Sequence, residues 1–142
     1  MKKSIIILVL LLFSCRGFDQ NIKFTTSFEI PVTINGTVTI PFIVDTGASE
    51  TTIPPYVFLT LIKNGTITVS DSLPSKTFLL ANGTKEVNMR VRLKSIKIGN
   101  TVIKNVEASV SNSLNAPLLL GQNVLSKLHR IEIDYKNNKI KW

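Results

Sequence analysis

The sequence predicts a mostly β protein, a small closed or folded-over β-structure with one short C-terminal helix. Two observations carry this reading. Apolar residues recur with a two-residue period in several short segments rich in Ile, Val, Phe and Thr, the residues that fit a pleated, half-buried surface. Between and beside these segments stand Asn-Gly pairs at 35–36, 64–65 and 82–83, suited to a chain that must fold back with positive φ. Only one stretch, late in the chain, has convincing helical spacing. At 142 residues, 44% hydrophobic and 18% charged, the chain amounts to one domain that can bury a core.

The start is read separately from the fold. Lys2 and Lys3 form a basic head, Ile5 to Phe13 an unbroken apolar run, and Ser14-Cys15 ends it. That is the pattern of a secretory signal peptide over residues 1–14, too short for a permanent membrane span. Leu12-Phe13-Ser14-Cys15 resembles a bacterial lipobox, with Phe13 where a small residue is usual. The resemblance implies a lipoprotein-type signal and lipidation of Cys15, with residues 15–23 as an N-terminal tether. Export to the bacterial cell envelope, lipid-anchored or periplasmic, follows from it. A stray thiol behind an ordinary signal peptide is the other reading. Cys15 is the only cysteine, so no intrachain disulfide is possible.

Phe28, Ile30, Val32 and Ile34 alternate, Asn35-Gly36 turns the chain, and Val38, Ile40, Phe42 and Val44 return it. This hairpin delivers the chain into Asp45-Thr46-Gly47-Ala48-Ser49. After Pro54-Pro55, residues 56–62 fit a short helix or a turn. Strand-like Thr77 to Leu80 meets Asn82-Gly83, and Val87, Met89, Val91 and Leu93 alternate beyond it. Ile96 and Ile98 lead to Gly99-Asn100, and Val106, Ala108 and Val110 keep the period. Leu118-Leu119-Leu120 is an apolar run ending at Gly121. Gln122 to His129 is helical, with Val124, Leu125 and Leu128 at helical spacing. Ile131, Ile133 and Tyr135 make a strand, Asn137-Asn138 a turn, and Ile140 and Trp142 close. The three Asn-Gly-Thr sequons are read as turns.

Formal net charge is +8, and +8 − 2 = +6 once Lys2 and Lys3 are removed. Arg90, Arg92 and Lys94 alternate as the solvent face of a strand would. No aromatic residues interleave with the basic ones, which argues against nucleic acid as a partner. A solvated face near an anionic membrane suits the charge better. One histidine, His129, reads as a helix cap or surface residue, and the composition offers no zinc cluster, Cys/His pair or phosphate loop. No metal or cofactor is called for.

Asp45-Thr46-Gly47 by itself could be an Asx-type turn closing a strand. Its context is more specific: the strand is apolar right up to Asp45, which would hold a carboxylate partly desolvated. Asp45-Thr46-Gly47-Ala48-Ser49, Ala81-Asn82-Gly83 and Leu119-Leu120-Gly121-Gln122-Asn123-Val124-Leu125 resemble, in order, the motifs of retropepsin-like, single-domain aspartic proteases of the bacterial branch. The resemblance covers residues 24–142. It implies an acid-protease-type barrel in which Asp45 is catalytic and Thr46, Gly47, Ala48 and Ser49 complete its loop. It also implies a flap hairpin with its tip near Ala81, Asn82 and Gly83, and Leu119, Leu120 and Gly121 packed beside the loop. Retroviral members place acidic residues just after the Ala and an Arg directly after the later Gly, and the two pair; this chain has Ser49-Glu50 and Gln122 instead.

Such chemistry needs two carboxylates sharing one proton. Asp71, in a Ser-rich turn, and Asp134, on a late strand, read as solvated. The resemblance therefore implies a homodimer with two Asp45 carboxylates, acting as an aspartic endopeptidase on a polypeptide substrate without a cofactor. The alternative is a non-catalytic peptide-binding or scaffold module that keeps the fold, and a third reading is an unrelated β-barrel lipoprotein.

Overall fold

A computed structural model describes residues 20–25 and 27–142. The signal segment 1–14, the lipidation candidate Cys15 and most of the tether lie outside the described residues. The last residues of the tether are strand: β1 (Asn21–Lys23) pairs with β10 (Lys139–Lys141), which pairs with β9 (Glu132–Asp134). Both ends of the described chain are fastened here. Gln20 and Trp142 exchange backbone hydrogen bonds at 3.1 Å, and the Gln20 side-chain Nε2 and the Trp142 indole both donate to Thr101 Oγ1.

The larger sheet contains β2 (Glu29–Ile34), β3 (Val38–Val44), β4 (Thr51–Ile53), β5 (Ser72–Leu79), β6 (Lys85–Ile98), β7 (Thr101–Val110) and β8 (Leu119–Leu120). Its order is β2-β3-β8-β4-β7-β6-β5, and β2 pairs back with β6 through Thr33–Lys97 and Ile34–Ile96. The sheet thus curls into a ring from which β5 projects with the distal part of β6. The β2–β3 loop has three residues, Asn35 to Thr37, between the paired Ile34 and Val38, one more than the two-residue hairpin the Asn-Gly pair suggests. Asn35 at φ 50° and Gly36 at φ 71° are both left-handed, and Thr37 N donates to Ile34 O across them, with Thr37 as the added residue.

Ile30, Val32, Ile34, Phe42, Ile53, Leu93, Ile96, Ile98 and Leu120 are almost fully buried within the ring. Phe28 does not extend the β2 alternation. Its φ is 57°, and its ring instead stacks on Phe24 at 4.8 Å and meets Tyr135 edge-on at 5.8 Å. A left-handed residue cannot keep the pleat, so the strand starts at Glu29.

The segment left open between helix and turn is a helix, α1 (Pro55–Lys63), with a proline at its first position, where the missing N–H costs nothing. Only Val57 and Leu61 are buried, while Tyr56, Leu59 and Ile62 are exposed. That spread of apolar residues hides the helical period in the sequence. The late helix, α2 (Gln122–Leu125), is shorter than its pattern: a 3₁₀ turn, Ser126–Leu128, replaces its last turn, and His129 at φ 62° stops it. Arg90 departs from the solvent-face reading of residues 90–94. Arg92 and Lys94 are exposed, but the Arg90 side chain is only 13% exposed because acidic partners draw it inward.

Candidate active site

Asp45 stands where β3 runs out beside β8. Ile43 N donates to Leu118 O and Asp45 N to Leu120 O, the alternating bonds of a parallel ladder. The ladder therefore reaches Asp45 and keeps its side chain in phase with Ile43, on the face away from the core. Directly paired residues share a face, so Ile43, Leu119, Thr52, Ser109 and Arg90 form one row across β3, β8, β4, β7 and β6. The opposite face carries Phe42, Leu120, Ile53, Val110 and Val91, all core residues. In the middle of the row the hydroxyls of Thr52 and Ser109 bond to each other at 3.0 Å.

Beyond Asp45 the loop turns tightly. Gly47 N donates to Asp45 Oδ1 at 2.8 Å and Ala48 N to Asp45 O at 3.3 Å. The Gly47 bond is the carboxylate's one hydrogen bond among the described residues. Thr46, Gly47 and Ser49 are exposed, and Asp45 and Ala48 half-buried. α2 holds this loop from behind. Gln122 N donates to Ala48 O, Asn123 N to Ser49 O, and the Gln122 side chain to Thr46 O at 2.9 Å. Asn123 Oδ1 accepts from both the amide and the hydroxyl of Thr51.

Gly121 makes this approach possible. A Cβ there would lie 2.5 Å from both the carbonyl carbon and oxygen of Glu50 and 2.9 Å from Ala48 O. Its φ of −90° suits any residue, so space rather than backbone conformation requires glycine. Leu119 and Leu120 supply the strand that the Asp45 ladder uses. The Leu119-Leu120-Gly121 segment and the Asp45 loop are thus brought together, as are Gln122 and Thr46.

Ala81, Asn82 and Gly83 are at the exposed tip of the β5–β6 hairpin. Gly83 has φ 81°, Gly83 N donates to Leu80 O, and Asn82 Oδ1 accepts from the amide and hydroxyl of Thr84. The other two described aspartates serve local turns. The Thr68 amide holds the Asp71 carboxyl below its ordinary pKa, and the Asn137 side chain and amide do the same for Asp134.

Glu50 was not legible as a site residue. It is 7% exposed and accepts hydrogen bonds from Lys76 and Arg90, 26 and 40 residues away. A lone Glu after a polar loop gives no sign of burial; the signal available was the acid-and-Arg pairing that Ser49 and Gln122 lack. Here the acid is one position later and the Arg comes from β6.

The chain's residues 30–127 match the family model described as "gag-polyprotein putative aspartyl protease". No curated protein sequence matches it. Among solved structures it is similar to a retropepsin-like aspartic protease from Rickettsia conorii, with 26% identity and a TM-score of 0.62 over 87% of this chain and 98% of that one. With the family model spanning most of the chain and the fold shared over 87% of it, the chain belongs to the retropepsin-like, gag-type aspartyl protease family.

Proposed function

We propose that the chain is an aspartic endopeptidase that works as a homodimer, each copy contributing Asp45. The observation that carries this is the placing of Asp45. Its carboxylate ends a strand on a braced loop and spends one oxygen on the Gly47 amide. A single carboxylate cannot act as base and acid at once. Two of them related by a twofold axis cannot both ionise at close range, so one keeps a proton. The ionised partner takes a proton from a water lying between them, and the water oxygen attacks the peptide carbonyl. The protonated partner hydrogen-bonds the developing oxyanion, and a proton then passes to the leaving amine.

The test is cleavage of a diverse peptide library by protein lacking the signal segment, at acidic to neutral pH. The rate is expected to rise with the square of protein concentration below the dimer dissociation constant, then linearly above it. A folded monomer that cleaves nothing at any concentration or pH would turn the assignment to a peptide-binding module.

We also infer export and lipid anchoring through Cys15, supported by the apolar run and lipobox-like end of residues 1–15. No helix among the described residues is long and apolar enough to cross a membrane. Cys15→Ser is expected to move the protein from the membrane to the soluble fraction of a bacterial host. A membrane pool unchanged by that substitution would remove the lipid from the proposal.

A further inference from the structure

The acidic side chain most firmly held near the Asp45 loop is Glu50, and its partners all come from one hairpin or the strand beside it. Glu50 Oε1 accepts from Lys76 Nζ at 2.6 Å and from an Arg90 terminal nitrogen at 3.0 Å, while Oε2 accepts from Arg90 Nε at 2.9 Å. Lys76 is on β5 and Arg90 on β6, the two strands of the hairpin that ends at Ala81, Asn82 and Gly83. We propose that Glu50 is a positioning residue, a clamp fixing the β5–β6 hairpin to the Asp45 loop. This rests on the reading of Asp45 as the catalytic carboxylate.

Two further observations support a built clamp rather than a chance ion pair. The first is register. Leu73 pairs with Arg90, and Lys76 with Asn88, so β5 carries one extra residue between them. Without that bulge Ser75 would oppose Asn88, and Lys76 would share the face of Val87. The bulge turns Lys76 onto the side where Arg90 and Glu50 meet. The second is the Glu50 backbone. Its carbonyl presses on Gly121, and the flanking Ser49 O and Thr51 N are both bonded to Asn123. The Asn123 side chain also donates to Glu107 O, and the Glu107 carboxylate accepts from Arg90. One closed circuit therefore joins α2, β7, the hairpin and the Asp45 loop, with Glu50 as the residue common to loop and hairpin.

A carboxylate this buried, receiving three charge-assisted bonds, is stiffly placed. Movement of the hairpin tip away from the site must stretch those bonds or drag the loop with it. The clamp thus sets how the hairpin stands over a substrate, which affects binding first and chemistry second.

The test uses Lys76→Met and Lys76→Arg, because Lys76 is half-exposed and its loss does not strand a buried charge, together with Glu50→Gln. Two readouts are taken: hydrogen exchange at the Leu80, Gly83, Thr84 and Gly47 amides, and the split between KM and kcat. Lys76→Met is expected to speed exchange at the hairpin-tip amides by about threefold, the scale of one half-exposed ion pair, with KM rising similarly and kcat by less. Lys76→Arg restores both. Glu50→Gln gives larger changes that reach the Gly47 amide and kcat. Tip exchange in Lys76→Met equal to wild type would overturn the clamp, whatever Glu50→Gln does or if it fails to fold. If the wild-type protein cleaves nothing, the protease reading fails, and the exchange rates still decide the clamp.

Discussion

Asp45→Asn is expected to lower peptide cleavage by about two to four orders of magnitude, the scale of a lost general acid–base group, and to leave the fold in place. Asparagine has the shape of aspartate, and its Oδ1 still accepts the Gly47 amide that the carboxylate accepts now. No other hydrogen bond among the described residues depends on the group, and the core lies on the opposite face of β3. The melting temperature should therefore change by no more than a surface substitution would change it, roughly 2 °C. What is lost is the charge that draws a proton from water and the acidic hydrogen that stabilises the oxyanion. A mixing experiment adds the test of symmetry. If each active site needs Asp45 from two copies, an excess of the variant should draw wild-type chains into one-aspartate dimers and depress activity. Wild-type activity untouched by excess variant, in a protein shown to exchange subunits, would place the second acid within one chain.

Gly121→Ala is expected to be the most damaging Gly→Ala change among the described residues. The backbone at Gly121 suits alanine, so the penalty comes wholly from contact: the new Cβ would sit 2.5 Å from two backbone atoms of Glu50. Backbone cannot rotate out of the way as a side chain can. Either α2 backs off, losing the bonds from Gln122 N and Asn123 N to the loop, or the loop itself shifts. Overpacking of this kind with one or two broken hydrogen bonds amounts to about 3 kcal/mol, or roughly 10 °C in melting temperature for a domain this size. Gly36→Ala is the control. Its Cβ would meet nothing within 4 Å, and only the left-handed φ of 71° opposes it, at about 1 kcal/mol. Equal losses in the two variants would mean that the close approach at Gly121 can relax, and that the loop is not braced as described.

The parts of the fold legible in the sequence are those whose cause is local. Asn35-Gly36 specifies a turn through its own φ preferences, and the alternation on either side fixes which face of β2 and β3 is buried. Pairing of the Asp45 motif with Leu119-Leu120-Gly121 was legible only because the ordered motifs resemble a family. Where neighbours in sequence mislead, the reason is visible in particular residues. Exposed Tyr56, Leu59 and Ile62 blur the period of α1, and Arg90 looks like Arg92 and Lys94 until Glu50 comes near it.

The sequence by itself determined a mostly β chain with its hairpin turns, and a single Asp-Thr-Gly loop at the end of an apolar strand. These follow from backbone preferences and two-residue periodicity, which act over a few residues. Only the tertiary structure decided the ring closure between β2 and β6, the fastening of Gln20 to Trp142, the crowding at Gly121 and the burial of Glu50 between Lys76 and Arg90. Each joins residues far apart in the chain. Such contacts depend on how strands twist and where a bulge shifts register, and no local pattern of residue types records that.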